Sequence, residues 1–125
     1  MIGIDLVKID RIKNFKERFG NKALKKFLSD EEIDLATGIN TIAGFWASKE
    51  AISKALGLGI SQECSFFDMR IYKDAKNKPY FKLSKHLIDR FKITDLSLSI
   101  THEGGFAIAV AYIKSIKEET KKISF

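Results

Sequence analysis

Trp46-Ala-Ser-Lys-Glu-Ala-Ile-Ser-Lys-Ala-Leu-Gly-Leu-Gly59 reads as the body of a helix that Thr41 caps and that Gly57 and Gly59 terminate. It sets a carboxylate, Glu50, and an ammonium, Lys54, one turn apart on a single face. At about 100° per residue, Ala43, Ala47 and Gly57 fall near that face, while Ile42, Phe45, Ile52 and Leu56 gather on the other. The spacing predicts a bulky apolar back and a front where small residues leave room around an acid and a base. Read alone, Glu50 and Lys54 also fit an exposed i,i+4 ion pair, worth roughly a few tenths of a kcal/mol.

Upstream of that helix, the chain opens Met1-Ile-Gly-Ile-Asp-Leu-Val-Lys-Ile9, a strand over Ile2 to Ile9 interrupted by Asp5. An acid in an apolar strand is costly unless it is paired or coordinates a metal, and the alternative is that Asp5 ends the strand. Asp10 then caps a helix whose apolar stripe is Ile12, Phe15 and Phe19, closed by Gly20. Asn21 to Leu28 forms a short helix, and Ser29-Asp-Glu-Glu32 starts another in capping-box fashion. Downstream, Phe67 to Tyr72 alternates as a strand, and the turn from Asp74 to Pro79 leads into Tyr80-Phe-Lys-Leu83. Ser84 caps a helix to about Phe91. Leu96 to Ile100 and Phe106 to Ile113 form a hairpin about Glu103-Gly-Gly105. Both faces of its second strand are apolar, so both need cover, and one cover is expected to be another subunit. After Lys114 a polar tail frays or continues as a loose helix.

With 125 residues, 45% of them hydrophobic and 30% charged, the chain reads as one domain with a real core. It has no run of about 18 apolar residues, and no signal peptide is expected. The single cysteine, Cys64, cannot pair internally, and no Cys/His cluster suits zinc. The expected compartment is the cytoplasm. Between Lys8 and Leu28 eight Lys or Arg face two acids, an excess equal to the net charge of +6 for the whole chain. Such a basic face implies an anionic partner: nucleic acid, membrane surface or acidic protein. Arg11, Phe15 and Arg18 lie at i, i+4 and i+7, a stripe able to grip an acidic helix, with Lys22 beyond it.

Taken together, the segments resemble one family, the 4′-phosphopantetheinyl transferases, and within it the short acyl-carrier-protein-modifying group. The resemblance rests on Gly3-Ile-Asp-Leu-Val7 followed by Arg11, Leu28-Ser-Asp-Glu-Glu32, Lys49-Glu-Ala-Ile-Ser-Lys-Ala-Leu-Gly-Leu-Gly-Ile60, Ser65-Phe-Phe-Asp68, Asn77-Lys-Pro79 and Ser99-Ile-Thr-His102. These six segments stand in the family's order across nearly the whole chain.

The resemblance implies an α+β, 4′-phosphopantetheinyl transferase-like fold, a small antiparallel sheet packed on a long central helix, as a single domain over residues 1–125. It implies transfer of 4′-phosphopantetheine from coenzyme A to a serine of apo acyl carrier protein, for fatty acid biosynthesis. Asp5, Glu50 and Lys54 are then the catalytic residues. Asp5 and Glu50 hold Mg2+, with Mn2+ as the alternative, since magnesium takes one or two carboxylates and fills its other positions with water and phosphate oxygens. Lys54 neutralises charge on the leaving oxygens. Glu50 or a metal-bound water is the candidate base. His102, with Ser99 and Thr101, is expected at the nucleotide end of coenzyme A. Lys49, about 100° around the helix from Glu50, is a candidate phosphate contact across a subunit boundary. Arg11 matches the family's position for carrier-protein contact. Short members form homotrimers with coenzyme A between subunits.

Three departures stand out. Lys8 replaces the usual Glu, Phe45 replaces the Arg of a GRFAxKEA motif, and Asn77-Lys-Pro79 replaces GKP. The first removes an acid near the metal and the second removes a phosphate contact. Val7 cannot ligate a metal, so water fills that position.

Two other readings use the same residues. A small basic nucleic-acid-binding domain fits the charge, but no RNP, GxxG or zinc-finger pattern is present and the aromatics fall at core-like positions. A Mg-dependent phosphohydrolase fits the Asp/Glu/Lys set and would use water in place of the carrier serine. No membrane association is expected.

Overall fold

The computed structural model describes residues 1–116 of the chain, and the expected loose tail lies, from residue 117 on, outside the described residues. Five strands and five helices follow in the order β1 (Ile2–Lys8), α1 (Ile9–Phe19), α2 (Asn21–Leu24), α3 (Asp30–Leu35), α4 (Ile39–Ala55), β2 (Met69–Lys73), β3 (Pro79–Leu83), α5 (Lys85–Phe91), β4 (Ile93–Glu103) and β5 (Phe106–Ser115). An antiparallel sheet in the order β1-β5-β4 lies against α4, and β2-β3 forms a separate hairpin. This is the α+β architecture that the resemblance implies.

Helix α4 is buried around most of its circumference, with Ala43, Gly44, Ala47 and Ala51 as well as Ile42, Phe45 and Ile52 inside. The expectation that Ala43 and Ala47 border an open front is therefore corrected: both are fully buried. Small residues here serve close approach. A Cβ on Gly3 would stand 1.8 Å from the Ala51 carbonyl oxygen, so β1 and α4 touch backbone to backbone at that point. The open stripe of α4 is instead Trp46, Glu50 and Lys54, at successive i+4 positions.

Strand alternation sorts the sheet. Gly3, Asp5 and Val7 pair with Ala111, Ala109 and Ala107, and Ile2, Ile4 and Leu6 pair with Tyr112, Val110 and Ile108. The first set faces α4 and the alanines are fully buried. The second set faces outward, leaving Ile2, Ile4 and Leu6 exposed at 72%, 59% and 57%. The β4–β5 hairpin closes on Gly104 and Gly105, at φ of 57° and 84°. A two-residue hairpin turn with positive φ at both centres requires such residues.

Several boundaries differ from the sequence reading. The β1 strand ends at Lys8 and Ile9 already belongs to α1, its N–H donating to the Gly105 carbonyl at 2.9 Å. Asp10 therefore sits in the first turn instead of capping it. Gly38 precedes α4, so Thr41 is not its cap. Both helices start earlier because their neighbours, the hairpin tip and the loop after α3, deliver the chain in place. Residues Phe66–Asp68 form a 3-10 turn, and the strand begins only at Met69. Ser84 holds the N-cap position of α5 as expected, but its hydroxyl donates to Asp68 Oδ1 at 2.8 Å instead of accepting from the helix. The Ser29 capping box is present, with the Glu32 N–H donating to Ser29 Oγ at 3.2 Å and the Ser29 N–H to Glu32 Oε1 at 2.8 Å.

Glu32 does more than cap. Its Oε1 accepts from Lys49 Nζ at 2.8 Å, and its Oε2 accepts from the Ile71 N–H at 3.0 Å. Lys49 Nζ also donates to the carbonyls of Phe27 and Phe66, at 2.7 and 3.0 Å. All three ammonium donors are thus used, and both side chains are buried. Burial lowers the Lys49 pKa from the usual lysine value, and the Glu32 carboxylate opposes that shift. Lys49 as a coenzyme A contact is accordingly corrected. With Glu32 it forms an interior cross-link joining α3, α4, the middle of β2, the loop after α2 and the turn at Phe66.

Two stability predictions follow from these contacts. Gly3→Ala forces β1 away from α4 and is expected to cost about 3 kcal/mol or more, read from the urea midpoint at unchanged slope. Glu32→Gln leaves the buried Lys49 ammonium without its counter-charge and should cost about 3–5 kcal/mol. The double variant with Lys49→Met should recover much of that loss, which a double-mutant cycle measures.

Candidate functional site

Asp5 and Lys54 meet where β1 crosses the end of α4. Lys54 Nζ donates to Asp5 Oδ1 at 2.9 Å and to the Ile4 carbonyl at 3.2 Å. The Lys54 side chain is 52% exposed and that of Asp5 13%, so the pair sits at a mouth and not in the core. The lysine keeps a third donor.

Glu50 lies one turn before Lys54. Burial raises its pKa above the usual carboxylate value, the negative charge of Asp5 raises it further, and Lys54 and Arg11 partly offset both. Those four groups therefore share one field: two acids crowded together with two cations at their edge. A divalent cation relieves that crowding, and the donor set of two carboxylates suits magnesium, which does not need a third protein ligand. Among the described residues no group of three or more His, Cys, Asp or Glu is arranged to hold a metal.

Arg11 connects this patch to the basic stripe of α1. Its guanidinium lies 5.8 Å from the Trp46 ring centroid, and Arg11, Ile12, Phe15 and Trp46 line a hollow between α1 and α4. Phe15 packs edge-on against Phe19 at 5.5 Å, Lys26 lies over both rings, and Arg18 covers Phe19. Lys22 is exposed just beyond. The result is a basic surface with partly exposed aromatics at its centre.

His102 belongs to a different groove. It pairs with Ala107, on the sheet face that carries α4, and lines a hollow with Asn40, Thr41, Phe45, Lys73 and Asn77. Ser99 and Thr101 pair with Val110 and Ile108, so strand alternation turns them to the outer face. Their grouping with His102 is corrected for that reason. His86, at 2.9 Å from Asp68 Oδ1, lies apart from both sites. The groove gathers about the first turns of α4, whereas Glu50 and Lys54 stand roughly 14 and 20 Å further along its axis from Thr41.

Sequence reading did not assign Trp46, Asn40 or Lys73 to a site, and noted Asn77 only as part of the Asn77-Lys-Pro79 segment. Trp46 shares the i+4 stripe of Glu50 and Lys54 and was legible from that spacing. The others come together only through the placement of the β2–β3 hairpin beside α4.

No described helix is long and apolar enough to cross a membrane. A protein from Campylobacter curvus named holo-[acyl-carrier-protein] synthase is 54% identical over 113 residues, covering 90% of this chain and 99% of its own. The crystal structure of Helicobacter pylori holo-[acyl-carrier-protein] synthase in complex with coenzyme A superposes with a TM-score of 0.88 at 51% identity, covering 91% of this chain and all of that one. The Bacillus anthracis holo-(acyl-carrier-protein) synthase, in complex with CoA (3′,5′-ADP), gives 0.76 at 32% identity, covering 91% and 95%. The family model for the 4′-phosphopantetheinyl transferase superfamily matches residues 1–111, and the chain belongs to that superfamily.

Proposed function

We propose that this protein is a holo-[acyl-carrier-protein] synthase. It transfers 4′-phosphopantetheine from coenzyme A to a serine of apo acyl carrier protein and releases adenosine 3′,5′-bisphosphate. The observation that carries this reading is the patch of Asp5, Glu50 and Lys54 in one field, in a chain about half identical to enzymes of that name. Fatty acid biosynthesis in the cytoplasm is the proposed setting.

The serine Oγ attacks the phosphorus attached to pantetheine, and the bond from that phosphorus to the bridging oxygen of the pyrophosphate breaks. The serine proton passes to a base, for which Glu50 is the candidate among the side chains of the patch. Lys54 directs its free donor at phosphate oxygens while Asp5 holds its position. Asp5 and Glu50 would hold Mg2+ or Mn2+, which supplies neutralisation of the pyrophosphate charge when bound. The main work of the site is electrostatic, as in phosphoryl transfer generally.

Arg11 and the stripe of Phe15, Arg18 and Lys22 are the proposed docking surface for the acidic carrier protein. The groove of His102 is the proposed seat of the nucleotide end of coenzyme A. The pyrophosphate and the 3′-phosphate of one coenzyme A molecule are borne on the same ribose, whereas the two sites stand at opposite ends of α4. We therefore infer that the patch of one chain faces the groove of the next. The exposed outer face of Ile2, Ile4 and Leu6, continued by Val110 and Tyr112, supplies an apolar surface for that assembly, and a cyclic homotrimer is the proposed form.

Incubation with apo carrier protein, coenzyme A and magnesium should add one phosphopantetheine mass to the carrier protein, seen by mass spectrometry. Glu50→Gln should lose about a hundredfold or more of this activity with the fold intact. Mixing it with His102→Ala subunits should recover part of the loss, because some clefts then combine two intact halves. No recovery after subunit exchange would place both halves in one chain.

Arg11→Glu should raise KM for carrier protein about tenfold while leaving KM for coenzyme A nearly unchanged, and added salt should weaken the wild-type interaction. A parallel rise in both constants would assign Arg11 to the nucleotide instead.

A further inference from the structure

The patch of Asp5, Glu50 and Lys54 and the groove of His102 stand at opposite edges of one sheet. Asp5 lies in β1 and His102 in β4, the two edge strands of the order β1-β5-β4. An assembly that carries the patch of one chain to the groove of the next therefore sets a β1 edge beside a β4 edge. Such a seam is heterologous, with a different surface on each side.

On the outer face of the sheet, the β1 side is aliphatic through Ile2, Ile4 and Leu6 and ends in Lys8. The β4 side carries hydroxyls at Ser97, Ser99 and Thr101 and ends in Glu103. Pairing through β5 joins the two ends, Lys8 and Glu103, in one row with Phe106 between them. The adjacent row, Val7, Ala107 and His102, turns to α4, so Lys8 and Glu103 turn outward, and both are exposed. Lys8 thus stands on the face opposite Asp5. Among the described residues neither Lys8 nor Glu103 makes an ion pair. Within one chain Phe106 keeps them two strand spacings, about 10 Å, apart.

A cyclic assembly whose axis runs along the strands keeps corresponding rows level. The Lys8 end of one row then meets the Glu103 end of the same row in the next chain, at every seam. Opposite charges at the two ends of a row are complementary to a second copy of that row. The glutamate that the resembled motif carries at position 8 would instead set two acids against each other here. We propose that Lys8 of one subunit forms an ion pair with Glu103 of the next, and that this pair fixes the height at which the subunits join. His102 directly precedes Glu103, so the same contact holds the groove of one chain against the patch of its neighbour. The proposal rests on the reading that patch and groove meet between subunits. Lys8 and Glu103 are positioning residues and touch neither substrate nor metal.

Sedimentation of the full chain over a range of concentrations should show a trimer that dissociates only on dilution. Lys8→Glu and Glu103→Lys should each raise the midpoint concentration of assembly about tenfold or more. The double exchange, Lys8→Glu with Glu103→Lys, should return the midpoint to within about threefold of wild type. Mixed in equal amounts, the two single variants should assemble better than either alone, because their reversed positions face each other across a seam. Transfer to apo carrier protein should follow assembly: dilute single variants lose turnover, and at concentrations that assemble them kcat returns to within about twofold. Unchanged assembly of the single variants beside a trimeric wild type overturns the ion pair and leaves the trimer standing. Failure of the double exchange to restore assembly does the same. Restoration by the double exchange without any gain on mixing places the pair within one chain and also overturns the proposal. A wild type that stays monomeric at every concentration overturns the trimer itself, and the pair with it.

Discussion

The backbone contact between β1 and α4 is the constraint on which the rest depends. With the Ala51 carbonyl 1.8 Å from where a Gly3 Cβ would be, no other residue fits without separating the two elements. Two residues on along the same face of β1 stands Asp5, and one turn from Ala51 stands Lys54. Their contact at 2.9 Å is therefore set by main-chain packing and not by long side chains reaching across a gap. Close approach converts a structural glycine into a positioning device for an acid.

The consecutive residues Lys49 and Glu50 show how one helix serves two environments. Lys49 points inward and meets a carboxylate and two carbonyls, which offset its desolvation. Glu50 points to the mouth, where burial and Asp5 disfavour its charge. The interior pair stops α4 from rotating about its axis, because it is tied at once to the α3 capping box and to β2. With that rotation fixed, Glu50 has one direction available. Crowding of two acids is what a bound cation would relieve, whereas an anionic ligand would add to it unless a cation or Lys54 stood between them.

The sheet carries both the proposed assembly surface and part of the proposed nucleotide groove. Its inner face is paved with Ala107, Ala109 and Ala111 so that α4 can lie close, and its outer face carries larger aliphatic residues left in the open. The same strand alternation that leaves this surface uncovered turns His102 inward, and Ser99 and Thr101 outward. A single 11-residue strand, β4, thus contributes to two distinct surfaces.

Much of the molecule was legible in the chain itself. The order of strands and helices, the Ser29 capping box, the glycine stop after α4, the two-glycine hairpin and the i,i+4 pair of Glu50 and Lys54 all follow from local patterns, whereas Asp5 joined that pair only through the family resemblance. Local rules suffice there because each depends on residues a few positions apart or on a backbone conformation one residue type permits. Three things were decided only by tertiary structure. Helix α4 reads as amphipathic, yet is enclosed because the sheet, α1 and the β2–β3 hairpin approach it from several sides. Lys49 reads as a spare cation, but a carboxylate 17 residues away in sequence and two carbonyls claim it. Lys73 and His102, 29 residues apart by number, share a groove because the hairpin folds beside β4 and α4. Periodicity reports which face a residue occupies on its own element. What packs against that face is settled only when distant elements compete for the same space.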